Sequence, residues 1–220
     1  MSARVISSDA TTSGATMSFQ SLGGTCAILA GAAIFLYSVA FVLLKEPTLY
    51  SSLQLVGSLA ATVALVALYE RLRATGAGVS LWFVLMGSVA ALGSATHGAY
   101  DLANTLNPPR TDVLADANLP NLVDPRGFLT FGLAGLALLA GSRLISRTAG
   151  LPPALAYVGY ALAALMIITW LARLIVLDAS SPLVLLPAAL TGFVANPVWY
   201  ALLGLVLLRQ RVEPVVANPT

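Results

Sequence analysis

Charge is what this sequence has least of. Lys, Arg, Asp and Glu together make up 9% of the residues, against about 25% in a soluble domain. A water-soluble chain of this size cannot hide a 58% hydrophobic composition behind so few charges, so soluble enzymes are excluded. The formal net charge of +2 gives no electrostatic footprint for a polyanion and excludes a nucleic-acid module. There is one cysteine, Cys26, so no internal disulfide, no disulfide scaffold and no Cys-x-x-Cys redox pair is available. The single histidine, His97, excludes haem held by two histidines and the usual His-rich zinc sites. The single lysine, Lys45, stands at the end of an apolar run, where it cannot carry a Schiff base inside a bundle as rhodopsins require. A rhomboid-type Gly-x-Ser-Gly is missing as well.

What is present is apolar length. Mean hydropathy is +0.88, and six stretches approach or exceed the roughly 20 residues needed to cross a bilayer core: 22–44, 53–69, 81–103, 127–146, 154–177 and 183–208. They do not alternate apolar and polar residues as barrel strands do. The expected fold is an all-α integral membrane bundle of six transmembrane helices. The first run exceeds the apolar core of a signal peptide, roughly 7–15 residues, and is expected to stay as a helix behind a mobile tail at 1–21. A second tail is expected at 209–220.

Basic residues set orientation. Arg4, Arg71, Arg73, Arg143, Arg147, Arg209 and Arg211 fall on one side; Lys45, Arg110, Arg126 and Arg173 fall on the other. Seven against four puts both termini in the cytoplasm of a cell (inner) membrane protein. One connection is long, the outer loop 105–126, with four prolines and three aspartates. Asp112 and Asp116 have the spacing of a paired-carboxylate metal site, but outside the helices and without its flanking pattern. They read as solvated, and no metal or cofactor is expected. The inner turns Arg73-Ala-Thr-Gly and Arg147-Thr-Ala-Gly are similar in composition, a short likeness on which nothing further is built.

The third span is rich in small residues, which let helices approach closely in lipid. Ala90, Ser94 and Gly98 form one row and Ala91, Ala95 and Ala99 the next, so this helix is expected at the centre of the bundle. It also carries the candidate acid–base pair, His97 and Asp101, four residues apart on one face, with Tyr100 and Asn104 alongside. A carboxylate beside an imidazole fixes its tautomer and strengthens it as a base; a plain polar helix end has the same composition. Arg173, four residues from the end of its span, can snorkel outward or join Asp101 and His97 in one pocket. In the sixth span, Asn196 precedes Pro197, which frees the Phe193 carbonyl and kinks the helix. Asn196 and Trp199 are therefore candidate pocket residues. Tyr100, Asn104, Arg173, Asn196 and Trp199 complete the candidate ligand-binding set.

The six-span plan, with the Leu68-Tyr69-Glu70-Arg71-Leu72 end of its second span, resembles the small polytopic bacterial membrane proteins grouped as domains of unknown function. That resemblance implies an all-α membrane fold and no particular activity. The expected function is a bundle holding membrane lipid or an apolar small molecule in a polar pocket near the outer face, or an accessory bundle for partner membrane subunits. A membrane enzyme using His97 and Asp101 on a lipid-like substrate is the alternative. A transporter, which wants midplane polar sites and broken helices, has only Asn196–Pro197 in its favour.

Overall fold

The computed structural model describes residues 18–108, 127–176 and 181–209. Among them are six helices long and apolar enough to cross a membrane: α1 (Phe19–Leu44), α2 (Pro47–Leu72), α3 (Ala77–Leu106), α4 (Phe128–Ile145), α5 (Pro153–Val176) and α6 (Pro182–Arg209). Lipid offers the backbone no hydrogen-bond partners, so an apolar run of this length satisfies its own amides as a helix. The chain is an all-α, multi-pass helical bundle. α2 and α3 overrun their apolar runs by several residues at each end; α2 starts at Pro47, its proline in the first turn, where a missing N–H costs nothing. Residues 1–17, 109–126, 177–180 and 210–220, which hold most of the expected tails and outer loop, lie outside the described residues.

The helices form a ring in chain order. α2 packs between α1 and α3, α4 between α3 and α5, and α6 closes the ring against α5 and α1. One end carries Phe19, the 73–76 turn, the 146–152 turn and Arg209, and is termed here the tail end. The opposite, loop end carries Lys45, Asn107 and Ser181. The tail half is packed shut around Leu68, Leu72, Phe83, Ile145, Leu155 and Leu203. Its turns are tied together, Thr75 to Thr148 through their hydroxyls at 2.8 Å. Gln20 bridges α1 and α2 by donating to the Ala67 carbonyl at 3.1 Å and accepting from Arg71 at 3.3 Å.

Among the described residues no helix stands at the centre, and α3 is a ring member like the others. Its face bearing Leu81, Leu85, Val89 and Leu92 is exposed, as suits a surface that meets lipid tails. The small residues of α3 serve two neighbours instead. A Cβ on Gly98 would lie 2.8 Å from both the Leu55 amide nitrogen and the Ser51 carbonyl oxygen of α2, and one on Gly93 would lie 3.2 Å from Leu129 of α4.

The seam between α1 and α6 is also built on small residues. Gly24, Gly31 and Ser38 repeat every seven positions. Gly24 approaches the Gly204 carbonyl, Gly31 the Pro197 carbonyl, and the Ser38 hydroxyl fills the space that a Cβ on Gly192 would need. Toward the loop end the seam stops. The Asn196–Arg209 part of α6 packs on α1, whereas Pro182–Leu190 packs on α5. The change of partner coincides with a π-helical segment, Thr191–Ala195, between two prolines: Pro187 inside the loop-side half and Pro197 just after the segment. Each lacks a donor and crowds the carbonyl four residues back, so the helix widens and bends there. α6 therefore leans away from α1 over the half nearest the loop end.

Candidate functional site

A cavity of about 740 Å³ occupies the loop half of the ring, within the ~300–1,000 Å³ of ordinary ligand sites. One face of α3 runs the length of its wall. From the middle outward it presents Gly87, Ala90 with its neighbour Ala91, Ser94, His97 and Asp101, successive turns being three or four residues apart as one helical face requires. The small side chains leave the space, and the two ionisable ones stand at its loop end. The floor is apolar, formed by Leu65, Phe83, Leu138 and Met166.

The polar end gathers side chains from five of the six helices. His97 Nε2 lies 3.0 Å from Asp101 Oδ2 across one turn of α3, both side chains about a quarter exposed. Arg173 of α5, Tyr37 of α1, Tyr50 and Gln54 of α2 and Thr130 of α4 also line the cavity. The Tyr37 hydroxyl is within electrostatic reach of Asp101, Tyr50 and Arg173, so opposite charges from α3 and α5 act on one phenol of α1. Tyr37 stacks on Phe41, their ring centroids 5.8 Å apart, and Tyr50 meets Phe41 edge-on at 5.2 Å, which holds both phenols in place.

Of the residues singled out in the sequence, His97, Asp101, Arg173 and Asn196 line this one cavity. Tyr100, Asn104 and Trp199 do not line it. Trp199 is 1% exposed in the tail-half core, where its indole nitrogen lies beside Gly159; the bend that brings Asn196 to the cavity turns Trp199 toward α5. Tyr100 is 41% exposed and outside the cavity wall. Asn104, half-buried one turn beyond Asp101, lies beyond the cavity. Asp178, five residues beyond Arg173, and the loop aspartates Asp112 and Asp116 lie outside the described residues. Among the described residues, no group of three or more His, Cys, Asp or Glu is placed to hold a metal ion.

Sequence reasoning missed Tyr37, Tyr50, Gln54, Thr130 and Thr191. It also missed three π-helical segments, Ala40–Leu44, Phe128–Leu133 and Thr191–Ala195, every one of which contributes to the cavity wall, through Phe41 and Val42, Thr130 and Phe131, and Thr191 to Phe193. A π turn inserts a residue into a helix, redirects the side chains beyond it and recurs at functional sites. The first ends at Lys45, whose left-handed backbone (φ 55°) closes α1 with its amide on the Ala40 carbonyl. Only the third had a signal in the sequence, Pro197.

The wall has a gap. Val42 of α1 and Leu185 of α6 both line the cavity, yet both are about half exposed. The helices that carry them do not pack together at this level, because α6 has leaned toward α5. The cavity is thus flanked, among the described residues, by a side opening between α1 and the Pro182–Leu190 part of α6. No family model, curated protein or solved structure matches this chain, so the resemblance noted above brings no family assignment or site to it.

Proposed function

We propose that the protein is a cell-membrane protein with both termini in the cytoplasm that holds a membrane lipid or an apolar small molecule in the loop-half cavity. The observation that carries this reading is the cavity's polarity: an apolar body with Tyr37, His97, Asp101 and Arg173 gathered at one end. An amphiphile has that same division, and matching it buries apolar chain while leaving the head hydrogen-bonded. Service as a subunit of a larger membrane assembly is compatible with the same site. The test is native mass spectrometry of the protein extracted in mild detergent. Wild type should carry an adduct of lipid mass, and Ser94→Phe, which places a ring in the cavity, should lose it. A bare wild-type mass under the gentlest extraction, or an adduct equally abundant in the variant, refutes the reading.

A second reading is favoured by the 3.0 Å contact between His97 and Asp101. In it the pair acts as base and orienting carboxylate on a lipid-like substrate held in the same cavity, with Arg173 on an anionic group. Its test is turnover of a lipid ester, which His97→Gln should abolish; turnover that survives in the variant refutes this reading.

A further inference from the structure

Accepting the ligand-binding reading above, the charges around the cavity narrow the ligand's class. We infer that it is an uncharged amphiphile: one flexible apolar chain on a compact head with carbonyl or hydroxyl oxygens, entering sideways from the bilayer between Val42 and Leu185.

Charge gives the first argument. Asp101 and Arg173 carry opposite charges at the same end of the cavity, both acting on Tyr37, and Arg173 is already engaged. Among the described residues lining that end, the fixed charges are one carboxylate and one guanidinium, so an anionic or cationic head would find no uncompensated counter-charge there. Burying a charge without one is far costlier than burying a hydrogen-bonded neutral group.

Hydrogen-bonding capacity gives the second. The phenols of Tyr37 and Tyr50 and the amides of Gln54 and Asn196 line the cavity, and each can donate to a carbonyl or hydroxyl oxygen. Thr191, at the π-helical bend of α6, also lines it. Its residue is 2% exposed and its hydroxyl has no hydrogen-bond partner among the described residues. A buried hydroxyl left without a partner is costly, and a ligand oxygen in the cavity would remove that cost.

Shape gives the third. Below the polar end the α3 face is Ser94, Ala91, Ala90 and Gly87, a smooth wall suited to a hydrocarbon chain. The opening flanked by Val42 and Leu185 has apolar edges, through which a hydrocarbon chain can slide.

The experiment compares three ten-carbon probes that differ only in the head: decanol, a decyl-tailed benzoquinone and decyl phosphate. Each is titrated into the full-length purified protein, and binding is read from the shift in melting temperature. Decanol and the quinone should bind, and decyl phosphate should bind at least about tenfold more weakly. Asp101→Asn should reverse this preference, because Arg173 then lacks its opposing charge and decyl phosphate supplies it. Ser94→Phe should abolish binding of the uncharged probes, and so should Ala188→Phe, which serves if the first variant does not fold. Tight phosphate binding in wild type that Ser94→Phe abolishes would overturn the uncharged head and keep the cavity as the site. Failure of every probe to bind, or binding that neither filled variant changes, would overturn both the head class and the ligand-binding reading.

Discussion

Gly98 lies where α3 crosses α2, and the structure gives its replacement a definite sign. A Cβ there would stand 2.8 Å from the Leu55 nitrogen and 2.8 Å from the Ser51 oxygen. Both are backbone atoms of α2, so no rotamer change can relieve the contact; one helix must move. Overpacking of this kind costs roughly 1–3 kcal/mol for a single added group. Helix propensity works the other way, since Gly→Ala in a helix gains about 0.5–1 kcal/mol. Gly98→Ala should therefore be destabilising by a net ~0.5–2 kcal/mol, and Gly98→Leu by more. Gly78 in the same helix supplies the control, because a Cβ there meets nothing within 4 Å. Gly78→Ala should be neutral or slightly stabilising. Thermal unfolding of the two alanine variants in one detergent is the assay, and the comparison cancels the effects of detergent on the unfolded state. If Gly98→Ala melts with or above wild type while Gly78→Ala does the same, the α2–α3 contact is not a close one, and the account of the small-residue rows is wrong.

Three other predictions concern orientation, coupling and entry. In a Cys26→Ser background, Asn118→Cys should be labelled by an impermeant thiol reagent from outside and Thr75→Cys only after permeabilisation; the opposite pattern reverses the proposed orientation. A double-mutant cycle on Asp101→Asn and Arg173→Gln should give a stability coupling of about 0.5–1 kcal/mol or more, and strictly additive effects would mean that the two charges do not share a site. Bridging Val42→Cys to Leu185→Cys with a short bis-maleimide should block uptake of decanol into the unliganded protein, and undiminished uptake would show that ligands enter elsewhere.

The spans were legible because a helix in lipid needs an unbroken apolar run, and this sequence has six. Their ends were less legible: α2 begins at Pro47 and α3 runs to Leu106, since polar residues at a membrane surface can continue a helix without packing. The place of α3 was misjudged for a physical reason. In water, Leu81, Leu85, Val89 and Leu92 would have to be buried, but beside lipid tails an exposed leucine costs nothing, so hydrophobicity does not separate inside from outside. Their spacing on the face away from Ala90, Ala91 and Ser94 was the available signal. In the candidate site, the helical spacing of His97 and Asp101 was readable directly, and equal depth was the signal that set Arg173 at the same end of the bundle, where all three line one cavity. Tyr37, Tyr50 and Gln54 were not readable, because their approach depends on which helices are neighbours in the ring. Neither were the π turns at Ala40–Leu44 and Phe128–Leu133, which no proline marks. Trp199 shows the cost of that omission: without the widened turn, its direction one turn beyond Asn196 could not be assigned.

The most direct test of the central claim is to locate a bound chain. Decanol with a diazirine at the tail end, photolysed on the full-length protein and mapped by peptide mass spectrometry, reports the residues the tail touches. Leu65 and Leu138 line the cavity floor and are 5% and 7% exposed, so a probe confined to the lipid-facing surface does not reach them. Adducts on these two residues, lost in Ser94→Phe, are the predicted result. Adducts restricted to the outward-facing Leu85, Val89 and Leu92, and unchanged by Ser94→Phe, would contradict it.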